Sequence, residues 1–296
     1  MRIAVTGKEG QVARSLSERG AAAGHDMVLI GRPELDLSGN AQAIMQAIDT
    51  ARPDVIVSAA AYTAVDKAET ERDLAFAINE TGAGAVAAAA NAIRVPLIHL
   101  STDYVFDGSK LDPYREDDET GPTGVYGASK LAGEQAVLAA HDNVAILRTA
   151  WVYSPFGANF VKTMLRLAGD RDEISVVDDQ RGNPTSALDI ADGIIAVCGN
   201  LVSGTDPAQR GIFHMAGSGE ASWAEFARAI FTYSVAAGGP GARVKAIASA
   251  NYPTPARRPA NSRLNGDKLA LTHAVRMPDW HQSTATIVAR LVRAGA

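Results

Sequence analysis

Tyr126 and Lys130 stand four residues apart, directly behind Gly124-Val125 at the start of an Ala-rich stretch. On a helix that spacing puts both side chains on one face. A free phenol has a pKa of ~10 and is a poor proton source or sink at neutral pH unless a nearby cation stabilises its phenolate. Lys130 carries such a charge. Thr102, just after an apolar run ending at Ser101, offers a hydroxyl to the same ligand oxygen. Phenol, ammonium and hydroxyl together suit the reduction of a carbonyl. Tyr126 delivers the proton, Lys130 lowers the phenol pKa and holds a ribose, and Thr102 orients the oxygen. A tyrosine packed at a helix start beside a solvated lysine is the other reading of the pair.

A hydride source has its own signal near the amino terminus. Gly7, Gly10 and Ala13 recur at intervals of three where the run Arg2-Ile3-Ala4-Val5 gives way to a helical pattern. This is the spacing used when the amides at a helix N-terminus receive the diphosphate of a dinucleotide. Gly7 permits the tight turn, Gly10 removes a Cβ that would obstruct the cofactor, and Ala13 keeps the helix close to its sheet. The second strand ends in Gly31-Arg32, with no acid to hold a ribose hydroxyl. That predicts NADPH, with NADH as the other dinucleotide the site could take. Arg32 would then face the 2′-phosphate; otherwise it is an ordinary surface arginine. Asp36 and Leu37 could flank the adenine, and Ala60 and Ala61 leave room beside the nicotinamide-side ribose.

These groups need a scaffold that brings residues 7, 32, 60, 102 and 126 to one edge. Short apolar runs at 2–5, 27–30, 54–58, 96–101 and 144–148 alternate with helical stretches at 41–48, 74–93 and 129–140. Strands buried on both faces read as such runs, so a Rossmann-like, doubly wound parallel α/β sheet is expected. Ligands of such folds collect at the carboxyl ends of the strands, where Thr102 falls. Beyond Trp151 the Gly and Pro punctuation increases, which suggests a smaller C-terminal lobe. Two helix starts are legible there, at Ser186 and at Ser222-Trp223-Ala224-Glu225, the latter with the spacing of a capping box. The acidic cluster Glu116-Asp117-Asp118-Glu119 is expected to be a solvated loop.

Composition narrows the function further. With 296 residues the chain can enclose a large core, and 47% hydrophobic against 21% charged residues describes a globular protein rather than a disordered one. A net charge of −5 argues against nucleic acid as the partner. The one cysteine, Cys198, allows no internal disulfide and reads as a small apolar helix residue. The six histidines lack the paired spacing of a metal-binding helix, so no metal is expected. No basic-then-apolar leader precedes the first strand and no apolar stretch reaches the ~20 residues that span a bilayer, so a cytoplasmic protein without membrane contact is expected.

Taken in order, Thr6-Gly7-x-x-Gly10-x-x-Ala13, Ser101-Thr102-Asp103-Tyr104-Val105-Phe106-Asp107-Gly108 and Tyr126-Gly127-x-x-Lys130 resemble the extended short-chain dehydrogenase/reductase superfamily. The segments 59–69, 148–153, 179–185 and 252–262 resemble more narrowly the dTDP-4-dehydrorhamnose reductase family, over nearly the whole chain. The resemblance implies an NADPH-dependent reduction of dTDP-4-dehydro-L-rhamnose to dTDP-L-rhamnose, the last step in making the activated sugar. It implies cofactor contacts from Gly10, Gln11, Val12, Asp36, Leu37, Ala60, Ala61 and Tyr62. It places Thr102, Asp103, Tyr104, Tyr126 and Trp151 against the dTDP-sugar. Arg258 is the candidate for the sugar nucleotide's diphosphate, because a guanidinium offers paired donors to phosphate oxygens. Trp151 could equally be a core residue between lobes.

The expected division is a dinucleotide-binding domain of residues 1–150 with a returning segment near 184–216, and a sugar-nucleotide lobe of 151–183 and 217–296. Some members of the family are thought to dimerise through a metal held by carboxylates on the helix after the Gly-x-Pro-Thr segment. Here that helix opens Ser186-Ala187-Leu188-Asp189, so no such metal is expected and monomer and homodimer stay open. The same motifs also resemble the noncatalytic partner of methionine adenosyltransferase, which binds the dinucleotide without turnover. A reductase of another dTDP- or UDP-4-ketosugar is the nearer rival, and an epimerase fits the substrate-lobe motifs less well.

Overall fold

The structure is a computed structural model, and it describes residues 1–295. Strand β1 (Arg2–Thr6) leads through a glycine turn into helix α1 (Gln11–Ala22) and strand β2 (Asp26–Ile30). Helix α2 (Ala41–Ala51) precedes β3 (Val55–Ser58). Short helices α3 (Val65–Ala68) and α4 (Arg72–Phe76) follow, then α5 (Ala83–Ala92) and β4 (Leu97–Thr102). Helix α6 (Val125–Ala140) and strand β5 (Val144–Thr149) complete the first half. The apolar runs thus mark the strands to within a residue at each end. The stretch 74–93, expected as one helix, is interrupted by a π-helical turn, Ala77–Gly82. There Asn79 turns inward, accepting from the Tyr62 N–H at 2.8 Å and donating to the Ser129 hydroxyl at 2.9 Å on α6.

After β5 come β6 (Val152–Tyr153), α7 (Phe160–Ala168), β7 (Glu173–Val177), β8 (Arg181–Gly182), β9 (Thr185–Ser186), α8 (Ala187–Ser203) and β10 (Gly211–His214). Among the described residues the central sheet has six strands in the order β10-β5-β4-β3-β1-β2, every pair parallel. The order reverses between β1 and β3, so a crevice opens at their carboxyl ends. Alternation along each strand divides the core. Ile3, Val5, Val57 and Leu147 pack with Leu16 of α1 and with Ile190, Ile194 and Cys198 of α8. Ala4, Ile56, Leu97 and Ile146 pack on the other face with α2, α5 and Val137 of α6.

The remaining elements are β11 (Ala221–Ser222), α9 (Trp223–Ala236), β12 (Arg243–Ile247), β13 (Asn261–Ser262), α10 (Asp267–His273) and α11 (Trp280–Arg293). Helices α7, α9 and α11 with strands β7 and β11 enclose a separate apolar cluster that includes Tyr153, Phe226, Ile230, Trp280 and Val288, while Leu269 of α10 packs in the core shared by α1 and α8. The capping box at α9 is present in both directions between Ser222 and Glu225, and Ser186 caps α8 by accepting from Leu188 and Asp189. The acidic cluster 116–119 is more than a solvated loop. Glu116 accepts the His214 N–H of edge strand β10 at 2.8 Å, and Asp118 pairs with Lys110 at 2.5 Å. Among the described residues no helix is long and apolar enough to cross a membrane.

Candidate active site

A cleft of about 910 Å³ runs along the carboxyl ends of the central strands. At its middle, Gly7 sits at φ +96°, a conformation that a side chain would strain, and its N–H donates to the Ile30 carbonyl at 2.6 Å. Gly10 is the N-cap of α1. Among the described residues no side chain caps that end, and no acid stands in the first turn. The first-turn N–H groups are therefore left to a ligand. A Cβ on Gly10 would meet no protein atom within 4 Å, although Gly10 lines the cleft. The room it leaves is ligand room, and a diphosphate fits both the free amides and that space. Thr6, the first residue of the glycine motif, holds the facing wall by accepting from the Ala59 and Ala60 amides, each at 3.0 Å.

At one end the lining includes Arg32, Asp36 and Leu37, and also Lys8, an unforeseen second cation. Lys8 pairs with Glu34 at 2.5 Å, and Asp36 accepts from the Ser38 hydroxyl and amide, which holds its carboxyl below the usual carboxylate range. Gln11 and Val12 line the centre. Gln11 also ties α1 to the chain beyond β5, its Oε1 accepting from Ser154 Oγ at 2.9 Å and Asn159 Nδ2 at 3.1 Å.

Thr102, Asp103, Tyr104, Tyr126, Lys130 and Trp151 line the same cleft at its other end. Thr102 ends β4, while Tyr126 and Lys130 occupy the first two turns of α6. Burial pushes the Tyr126 phenol up to about 12; the Thr102 hydroxyl works against this and the Asp103 charge adds to it. The expected effect of Lys130 on the phenol is not seen. The Lys130 ammonium turns to the sheet, donating to the Leu100 carbonyl at 2.7 Å with His99 Nε2 3.4 Å away. Burial brings Lys130 down to about 8, with the Glu134 carboxylate acting in the opposite sense. Asp103 is buried and accepts from Thr102 Oγ1 at 3.0 Å. Its pKa rises to about 6, chiefly through burial.

Trp151 lines the cleft and stacks on Trp223 of α9 with ring centres 3.6 Å apart. A Cβ on Gly182 would lie 2.4 Å from that ring, which explains the glycine in the segment 179–185. Tyr62 and Arg258 are not in the lining. The Tyr62 hydroxyl donates to Glu71 at 2.7 Å, and Arg258 is held in a two-pronged pair by Asp66, 2.8 Å at each contact. Behind the cleft a fully buried pair that motif reading missed, Glu134 with Arg148, joins α6 to β5; Ser101 donates to the same carboxylate.

A reversed-order parallel sheet, an open helix N-terminus and a Thr/Tyr/Lys set in one cleft define a dinucleotide-dependent enzyme of the extended short-chain dehydrogenase/reductase class. The family model described as RmlD substrate binding domain matches residues 1–293, and the chain belongs to that family. It is 52% identical over 295 residues to a dTDP-4-dehydrorhamnose reductase of Sinorhizobium fredii, covering 100% of this chain and 99% of that one. It is 42% identical over 285 residues to the enzyme of that name from Escherichia coli, covering 95% and 94%. The crystal structure of the dTDP-4-dehydrorhamnose reductase of Bacillus anthracis in complex with NADP is similar with a TM-score of 0.90 and 36% identity, covering 98% of this chain and 99% of that one.

Proposed function

We propose that this chain uses NADPH to reduce the 4-keto group of dTDP-4-dehydro-L-rhamnose, giving dTDP-L-rhamnose. The observation that carries the reading is the meeting of Thr102, Tyr126 and Lys130 in the cleft that also holds the open end of α1. Bound NADPH supplies the hydride. In this reading the amides of Gln11 and Val12 receive its diphosphate, Arg32 faces its 2′-phosphate, Asp36 and Leu37 flank its adenine, and Ala60 and Ala61 border its second ribose. Tyr62 stands just behind that wall.

The residues then divide the work on the ketone. Thr102 orients the substrate oxygen. The Tyr126 phenol, at about 12, keeps its proton at neutral pH and surrenders it to the stronger base that forms, an alkoxide. A raised phenol pKa therefore suits a donor in the reductive direction. Lys130, at about 8, stays largely charged at neutral pH and holds the ribose. Asp103 and Tyr104 meet the sugar, Trp151 offers it a flat wall, and Arg258 reaches the substrate diphosphate by exchanging Asp66 for phosphate oxygens. The domain division given above, a cytoplasmic site of action and a monomer or homodimer belong to the same proposal.

The test supplies dTDP-4-dehydro-L-rhamnose and NADPH, follows cofactor oxidation and identifies the product by NMR. Formation of dTDP-L-rhamnose supports the assignment. Turnover only with another nucleotide 4-ketosugar would change the substrate, and tight NADPH binding without any turnover would favour the noncatalytic regulatory reading.

A further inference from the structure

His99 is buried in the middle of β4 and is not among the residues that line the cleft. Its two ring nitrogens are nonetheless both engaged. Nε2 lies 3.4 Å from the Lys130 ammonium on α6, and Nδ1 lies 3.2 Å from Ser58 Oγ on β3. An ammonium has only protons to offer, so Nε2 must be the bare nitrogen and Nδ1 must carry the proton, donated to Ser58. Burial and the neighbouring ammonium both push the His99 pKa well below its ordinary value, which keeps that lone pair available. Lys130 has three N–H bonds. The Leu100 carbonyl takes one and His99 faces a second, which leaves one for the cleft that Lys130 lines.

We infer that His99 is a positioning residue for the reduction: as a hydrogen-bond acceptor on β4 it fixes the Lys130 ammonium so that one N–H remains directed at the cofactor's ribose. The inference rests on the assignment of Lys130 to that ribose. The other charged and titratable groups about the pair are Tyr126 and Glu134 on α6, and Arg148 on β5, which is ion-paired to Glu134. None of them supplies a second bare acceptor at the ammonium. Ser58 acts one step further back. It selects the tautomer, because without its oxygen the proton can move to Nε2 and face the ammonium, donor against donor.

The experiment compares His99→Leu, His99→Gln and Ser58→Ala with the unaltered chain. NADPH affinity is read by fluorescence titration with no sugar present, and kcat and KM are read with dTDP-4-dehydro-L-rhamnose. Leucine removes the acceptor, and NADPH binding is expected to weaken about tenfold. With it, kcat should fall roughly tenfold to a hundredfold while the sugar KM changes little. Glutamine restores an oxygen acceptor at similar reach and should recover most of both losses. Equal behaviour of the Leu and Gln variants, or unaltered NADPH affinity in the Leu variant, overturns the inference. Should His99→Leu fail to fold, Ser58→Ala carries the test: weaker NADPH binding supports the inference and unchanged binding overturns it. A wild-type chain that binds NADPH but leaves this sugar untouched refutes the substrate assignment alone, since the affinity ranking still tests His99.

Discussion

Replacing Glu134 by Gln should destabilise this protein more than any single loss at its surface. Glu134 and Arg148 have side chains only 2% exposed, and their charges meet through two bonds, Nε to Oε1 at 2.9 Å and Nη2 to Oε2 at 2.7 Å. A glutamine keeps one acceptor but turns an NH2 toward either Nη2 of Arg148 or the Ser101 hydroxyl, which now donate to the carboxylate. The guanidinium then remains in the core without a counter-charge. Removing one partner of such a pair typically costs about 3–5 kcal/mol. At about 2–4 °C per kcal/mol for chains somewhat shorter than this one, the melting temperature should fall by roughly 5–15 °C. Removing both charges, as Glu134→Leu with Arg148→Met, should return stability to within about 2 kcal/mol of the unaltered protein, since apolar side chains of similar volume replace buried pairs well. Urea unfolding followed by circular dichroism on the unaltered protein, Glu134→Leu, Arg148→Met and the double variant gives the coupling directly, with Glu134→Gln measured beside them. A loss below about 1 kcal/mol in Glu134→Gln, or single losses that simply add in the double variant, would refute this reasoning. The same substitution removes the carboxylate that supports the charge on Lys130, so its pKa should fall further and NADPH binding above neutral pH should weaken.

Gly10→Ala should leave unfolding within about 0.5 kcal/mol of the unaltered protein, because its φ of −65° suits alanine and no protein atom is in the way, yet should weaken NADPH binding at least tenfold or so in a fluorescence titration; unchanged affinity would move the diphosphate elsewhere. Arg32→Ala should lower the preference for NADPH over NADH by roughly tenfold, and an unaltered ratio of the two dissociation constants would remove Arg32 from the 2′-phosphate. Asp103 is an acid raised from 3.8 to about 6 in the folded chain, so its ionisation opposes folding above both values and has no effect below them. Asp103→Asn should therefore stabilise the ligand-free protein by roughly 1–3 kcal/mol at about pH 8, with the gain shrinking as pH falls from about 6 toward 4. Urea unfolding at two pH values checks this, and a pH-independent gain would contradict it.

Much of the scaffold was legible because its strands are short β-branched runs, buried on both faces and separated by helices, so 2–5 and 144–148 announce themselves without any partner. The glycine turn and the Tyr126/Lys130 spacing were legible for a similar reason, since both are local patterns. What stayed hidden depends on groups far apart in the chain. Arg258 meets Asp66 across 192 positions, and no pattern near Pro259 signals that its guanidinium already has a carboxylate. The phenol's upward shift comes from burial and from Asp103, whereas spacing alone suggested only the ammonium on its own helix. Lys130 turns instead to Leu100 and His99 on the adjoining strand, a direction fixed by how closely α6 lies on the sheet. The π turn at Ala77–Gly82 has no local signature, and the bonds of Asn79 that go with it reach Tyr62 and Ser129, 17 and 50 positions away.

Single-turnover reduction by Tyr126→Phe, with NADPH affinity measured on the same preparation, reaches the proton donor itself. Loss of the phenol should slow the oxidation of bound NADPH by roughly a hundredfold to ten-thousandfold while its dissociation constant stays within about twofold of the unaltered value. A Tyr126→Phe protein that reduces dTDP-4-dehydro-L-rhamnose at the full rate would contradict the account.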